Sequence, residues 1–199
     1  DLKKKNIFSN VKGIILSGGP STVTKSSFPE IPSKIFNLNI PILGICYGLQ
    51  LITKKFKGKV KKNIKKREFG RAILIKKKNS LLTKNFFSNN KSIVWMSHQD
   101  SVFKLPKGFI KTASTIHSTL AIIENKRKKI YGIQFHPEVT HTSKGNTIFK
   151  NFIFDICKAK KQWKLEFEKK RIIKEIKKTI QKEKVICALS GGVDSSVVA

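Results

Sequence analysis

Apolar runs alternate with helical stretches along the chain, the pattern of a parallel sheet covered by helices. Val11 to Leu16 reads as a buried strand ending at Ser17-Gly18-Gly19-Pro20, a turn that needs a permissive backbone. Ile40 to Ile45 reads as a second strand, and Leu49 to Phe56 as the helix after it. Arg71 to Ile75, Ile93 to Met96, Thr119 to Ile123 and Ile130 to Phe135 are further expected strands. The spacing of Ile148, Phe152, Ile153 and Ile156 predicts a helix from Thr147 to about Lys160. A charged amphipathic helix follows, Trp163 to Lys184. Then Val185-Ile186-Cys187-Ala188-Leu189 reads as a fresh buried strand before a second glycine turn, which puts a domain boundary between 162 and 163. The expected class is α/β. An open, mostly parallel sheet flanked by helices occupies 1–162, and the first strand-loop-helix of a second α/β domain occupies 163–199.

Composition narrows the setting. The 199 residues accommodate one full α/β domain with sequence to spare. The opening Asp1 and the closing Val197-Val198-Ala199 read as cuts in a longer chain. No stretch approaches the roughly 18 uninterrupted apolar residues that span a bilayer, so no membrane partner is expected. Cys46, Cys157 and Cys187 are an odd, widely separated set without a CxxC pair. That argues against a disulfide framework or a zinc site and favours a reducing cytoplasm. Forty-two Lys and Arg against 12 Asp and Glu give +30, which invites a nucleic-acid reading. The basic residues are scattered, however, in runs such as Lys76-Lys77-Lys78 and Lys126-Arg127-Lys128-Lys129. Lys, Asn, Ile and Phe belong to A+T-rich codons, so drift on solvated faces is preferred to a selected polyanion surface.

Three segments carry chemistry together. Gly44-Ile45-Cys46-Tyr47-Gly48, between an apolar strand and a helix, is the thiol form of a nucleophile elbow. The helix behind it turns its positive end toward the sulfur, which favours thiolate. Tyr131-Gly132-Ile133-Gln134-Phe135-His136-Pro137-Glu138 ends a strand at a His with a carboxylate two residues on. His136 supplies a base and acid near neutrality, and Glu138 can hold its other ring nitrogen. A buried structural cysteine and a surface histidine beside a turn are the plain alternatives for each alone. Strand ends of an α/β sheet converge on one crevice, which joins the two. Ser17-Gly18-Gly19-Pro20 reads as an oxyanion hole, with the Gly19 and Tyr47 amides as donors. A fourth segment, Ser190-Gly191-Gly192-Val193-Asp194-Ser195-Ser196, makes a nest of amides and hydroxyls suited to pyrophosphate. It lacks the lysine of the GxxxxGK[ST] loop.

In this order these segments resemble the class I (triad) glutamine amidotransferases. Arg67-Glu68-Phe69-Gly70, Val94-Trp95-Met96-Ser97-His98, His136 to Thr142 with Gly145, and Ile156-Cys157 with Trp163 are similar to the GMP synthase family. The loop from Ser190 to Ser196 resembles the PP-loop of N-type ATP pyrophosphatases. The resemblance implies Cys46, His136 and Glu138 as the catalytic set. It implies Gln50, with Ser97, His98 and Gln99, around bound glutamine, and Ser190 to Ser196 around ATP. Glutamine, ATP with Mg2+, and xanthosine monophosphate are the implied small-molecule partners, with a homodimer as the complete assembly, Mg2+ ligands largely outside this stretch, and no metal-site residue expected within it. Two departures are visible. The family's domain opens with a strand and helix not found here, and it commonly has Gly where this chain has Gln99. Should that position need φ > 0, Gln99 would loosen glutamine binding. His98 and Asp100 are read as pocket or interface residues. The rivals are another PP-loop amidotransferase, a glutaminase subunit serving anthranilate or CTP synthesis, and a nucleic-acid-binding protein on an inactive amidotransferase scaffold.

Overall fold

Residues 8–62, 67–161 and 165–198 are described by a computed structural model. They form two units, Asp1–Ala159 and Lys160–Ala199. The expected boundary between 162 and 163 lies outside the described residues.

In the first unit the strands are β1 (Ile14–Leu16), β2 (Ile42–Ile45), β3 (Lys59–Lys62), β4 (Glu68–Lys76), β5 (Lys91–His98), β6 (Asp100–Lys104), β7 (Ile110–Ser114), β8 (Ile122–Asn125) and β9 (Ile130–Ile133). Seven of them make one sheet in the order β1-β2-β9-β8-β7-β4-β5, and β3 pairs with β6 in a second, two-stranded sheet. The α/β class holds, but parallel pairing is confined to β1, β2 and β9; the remaining ladders of the large sheet are antiparallel. For β7–β8 and β8–β9 the reason is connection length: a parallel neighbour needs a crossover of a dozen or more residues, and these links are far shorter.

Alternation divides the core into two layers. Leu43 and Ile122 pack on one face of the sheet with Leu74, Val94, Met96, Phe135 and Phe152. Their chain neighbours Ile42 and Ile123 pack on the other with Leu49, Ile52 and Phe109. Helix α1 (Tyr47–Lys55) covers this second face, buried from Tyr47 through Thr53. The stretch expected as one helix from Thr147 is two pieces. Helix α2 (Gly145–Lys150) passes into a π-helical turn (Asn151–Ile156), where the Cys157 amide reaches the Phe152 carbonyl at 2.8 Å. Polar β3, β6 and β7 escaped the apolar-run reading because they carry few large apolar side chains.

The second unit holds α3 (Leu165–Ile180) and α4 (Val193–Val198). Residues 185–189, expected as a strand, form none, and Ile186 is 96% exposed. A strand exists only as part of a ladder, and among the described residues none pairs with this segment.

Candidate active site

The carboxyl ends of β1, β2 and β9 open onto one cavity of about 970 Å3. At the end of β2 the chain must turn sharply into α1, and Cys46 takes the turn at φ 50°, ψ −102°. A non-glycine residue there is strained and is held by its surroundings. Its amide donates to the Ile133 carbonyl at 2.8 Å. The flanking glycines serve close approach rather than positive φ. A methyl on Gly48 would lie 2.1 Å from the Leu16 carbonyl oxygen, and one on Gly44 would lie 2.6 Å from the Gly48 backbone. The elbow thus nests against β1 only without side chains.

The Cys46 thiol donates to the Ser97 carbonyl at 3.8 Å and accepts from Gln134 Nε2 at 3.7 Å. Burial pushes it up to about 11; the Tyr47 amide opposes this, the Glu138 charge adds to it, and Gln134 opposes it. In this geometry the sulfur is a neutral thiol.

His136 is placed by a short relay. Its amide donates to the Trp95 carbonyl at 3.0 Å, while Thr142 Oγ1 donates to its carbonyl at 2.5 Å and accepts the Trp95 amide at 3.0 Å. Gly145 closes the turn, since a methyl there would meet the Pro137 carbonyl oxygen at 2.0 Å. Nδ1 pairs with Glu138 Oε1 at 2.6 Å, leaving Nε2 buried and without a hydrogen-bond partner. With Nδ1–H directed at a carboxylate, Nε2 is the nitrogen free to take a proton.

All nine residues expected around glutamine line this cavity: Cys46, His136, Glu138, Gly19, Tyr47, Gln50, Ser97, His98 and Gln99. Gly18 lines it too and was not singled out. A methyl on Gly18 would lie 2.9 Å from His136 Cε1 and 3.6 Å from Cys46 Cβ, whereas Gly19 has nothing within 4 Å. Gln50 Nε2 donates to the Asp100 carbonyl at 3.2 Å, and its Oε1 is buried without a partner. Thr22 and Thr24 both donate to Asp100 Oδ2, the latter at 3.1 Å, tying the segment after Pro20 to the start of β6. Gln99 is not at positive φ, so the strain argument for a glycine there does not apply. Gln134 beneath the sulfur went unread because it sits inside an apolar strand end.

The segment from Ser190 to Ser196 lies in the other unit. Gly191 has φ 78°, the Gly192 amide reaches Ser190 Oγ at 3.4 Å, and Ser196 Oγ donates to the Gly192 carbonyl at 2.9 Å. The side chains of Asp194 and Ser195 lie outside the described residues. Among the described residues no three His, Cys, Asp or Glu side chains converge on a metal position, and no helix is long and apolar enough to cross a membrane.

A strained cysteine and a His–carboxylate pair on one strand-end cavity define a cysteine amidohydrolase site of the triad type, and residues 1–156 match the family model "Glutamine amidotransferase class-I". The chain belongs to that family. Among curated proteins it is 50% identical over 190 residues to a GMP synthase [glutamine-hydrolyzing] of Prochlorococcus marinus subsp. pastoris, covering 96% of this chain and 36% of that protein. It is 51% identical over 193 residues to the GMP synthase [glutamine-hydrolyzing] of Thermosipho melanesiensis, with the same coverage. The chain therefore spans just over a third of the length of these relatives. The crystal structure of a candidate GMP synthase component from Thermoplasma acidophilum superposes with TM-score 0.64 at 30% identity, covering 84% of this chain and 78% of that one. A glutamine amidotransferase from Methylobacillus flagellatus shares the fold at TM-score 0.56 and 19% identity, over 65% and 53% of the two chains.

Proposed function

We propose that this chain hydrolyses glutamine to supply ammonia for the ATP-dependent amination of xanthosine monophosphate to GMP, with AMP and pyrophosphate as co-products. The observation that carries the glutaminase is Cys46 at the elbow sharing one cavity with the 2.6 Å His136–Glu138 pair. Cys46 passes its proton to His136 Nε2 as the sulfur attacks the carboxamide carbon. The amides of Gly19 and Tyr47 hold the oxygen that becomes negative. His136 then protonates the departing nitrogen, which leaves as ammonia. A water, deprotonated by His136, adds to the thioester; glutamate leaves and the thiol is restored. Glu138 holds the imidazolium that forms at each stage.

The resemblance to GMP synthases supports the second half-reaction, as does the loop from Ser190 to Ser196, whose turn and exposed amides fit a pyrophosphate. ATP enters there as substrate and brings Mg2+ with it. A homodimer in the cytoplasm is the accompanying reading, the location supported by three free cysteines.

The test separates the two chemistries in the full-length protein. Cys46→Ala is expected to abolish glutamine-dependent GMP formation at any glutamine concentration, while ammonium salts at high pH restore it. Altering Asp194 or Ser195 is expected to remove synthesis from both nitrogen donors and leave basal glutaminase. GMP and AMP are followed with each donor. Glutamine-dependent synthesis by Cys46→Ala would defeat the nucleophile assignment. Failure of the unmutated protein to make GMP from ammonia and xanthylate would defeat the assignment of the acceptor.

A further inference from the structure

Beneath the nucleophile lies a polar side chain that the reaction above does not use. Ile45 pairs with Ile133 in the parallel β2–β9 ladder, so the residues that follow them, Cys46 and Gln134, leave the ladder side by side. The Cys46 amide donates to the Ile133 carbonyl at 2.8 Å and the Gln134 amide to the Ala121 carbonyl at 2.9 Å, which fixes both backbones. Gln134 is 1% exposed, between Ile133 and Phe135, which are fully buried. Its Nε2 reaches Cys46 Sγ at 3.7 Å, while its Oε1 is buried without a partner. An apolar side chain of similar length would fill this space and leave no orphaned carbonyl, so packing does not explain a carboxamide here.

The value of each contact changes as the sulfur reacts. As a thiol it donates to the Ser97 carbonyl and accepts from Gln134. Once the proton has passed to His136 Nε2, the Ser97 carbonyl faces an anion and repels it. Burial pushes the Cys46 thiol up to about 11, and the Tyr47 amide and the Gln134 carboxamide are the two donors that oppose it. The Tyr47 amide is also assigned to the substrate oxygen, and it cannot serve both in full when that oxygen turns negative. Gln134 is not among the residues lining the cavity, so no substrate atom competes for its N–H. A donor facing an anion makes a charge-assisted hydrogen bond, roughly twice as strong as one to a neutral acceptor.

We propose that Gln134 is a further catalytic residue: its Nε2–H donates to Cys46 Sγ and holds the sulfur while it is negative, as it attacks and again as it leaves. The assignment rests on the glutaminase reading. In the first step the thiol proton goes to His136 Nε2 and an S–C bond forms to the carboxamide carbon. The C–N bond then breaks as His136 protonates the nitrogen. In the second step water adds to the thioester carbon and gives a proton to His136; the C–S bond breaks, and the thiolate takes that proton back. Gln134 exchanges no proton in either step. It stabilises the electron pair that Sγ holds at the start of the first and at the end of the second. A sulfur that becomes negative selects the N–H end of a carboxamide, because the carbonyl end would repel it.

The experiment uses the full-length protein with Gln134→Met, which keeps length and burial and removes the donor. The kcat for glutamine hydrolysis is expected to fall about thirtyfold with KM held within about twofold, as for an interaction stronger in the transition state than in the bound substrate. Alkylation of substrate-free Cys46 by iodoacetamide, read by peptide mapping, should slow about threefold at each pH from about 7 to about 9, because less thiolate is present. Exposed Cys187 serves as the internal standard and should not change. A side chain with a structural role only would raise KM or lower stability and leave the alkylation rate as it was. An unchanged kcat in a folded variant would overturn the proposal, as would a loss carried by KM or an unaltered alkylation rate. If Gln134→Met does not fold, Gln134→Asn draws the N–H back by one methylene, and the same two measurements decide. Should the unmutated protein fail to hydrolyse glutamine, the glutaminase reading falls, and the alkylation rates still decide whether Gln134 holds the anionic sulfur.

Discussion

At Cys46 two local effects oppose each other. The start of α1 presents an amide to the sulfur and favours thiolate, but enclosure in the cavity wall favours the neutral thiol, and enclosure wins. The consequence is measurable in the substrate-free protein. Thiolate is the form that alkylates, and a group raised to about 11 holds little of it near neutrality. The rate of Cys46 modification by iodoacetamide should therefore climb about tenfold per pH unit from neutrality toward pH 11. Peptide mapping distinguishes it from exposed Cys187. A plateau reached near pH 7 would mean that His136 already holds the proton before substrate arrives. His136 Nε2, buried and unpartnered, is the acceptor in waiting. Of these atoms, Cys46, His136 and Glu138 were legible as residue types at strand ends. Gly18 and Gln134 were not, because nothing in a pentapeptide states which atom another segment will bring into contact.

The element that matters most is the β2–α1 elbow. Cys46 itself carries the strain of the turn, and Gly44 and Gly48 permit the close approach. Gly48→Ala drives a methyl to 2.1 Å from the Leu16 carbonyl, against backbone that cannot yield cheaply. It should cost about 3 kcal/mol of stability, the upper range for overpacking, and pull α1 away from β1. Chemical denaturation reads the loss, and glutaminase activity should fall with it as Cys46 shifts. Wild-type stability would show that the helix can slide instead. The β4–β5 hairpin teaches a complementary lesson. Its alternation was visible in part, but only the register reveals that Glu68 faces His98.

For the whole molecule, the excess of 42 basic over 12 acidic side chains is the dominant long-range fact. Like charges spread over a surface repel, and salt screens them over about 10 Å at 0.1 M. Melting temperature should therefore rise as NaCl goes from about 20 to about 200 mM. A fall would show that ion pairs outweigh repulsion. Any DNA or RNA binding should be sequence-independent and vanish over the same range. Sequence pattern alone determined the α/β class and the strand-end placement of Cys46 and His136, because periodic burial and short backbone motifs are local properties; the family entered through the resemblance of those motifs. Tertiary structure alone decided three things: the parallel pairing confined to β1, β2 and β9, the helix that passes into a π-turn at Asn151, and the absence of a strand at 185–189. It also decided that Glu68, Thr115 and Ser118 meet behind His98. Pairing partners, register and the desolvation of a charge depend on residues far apart in the chain, and those are settled only when the layers close on one another.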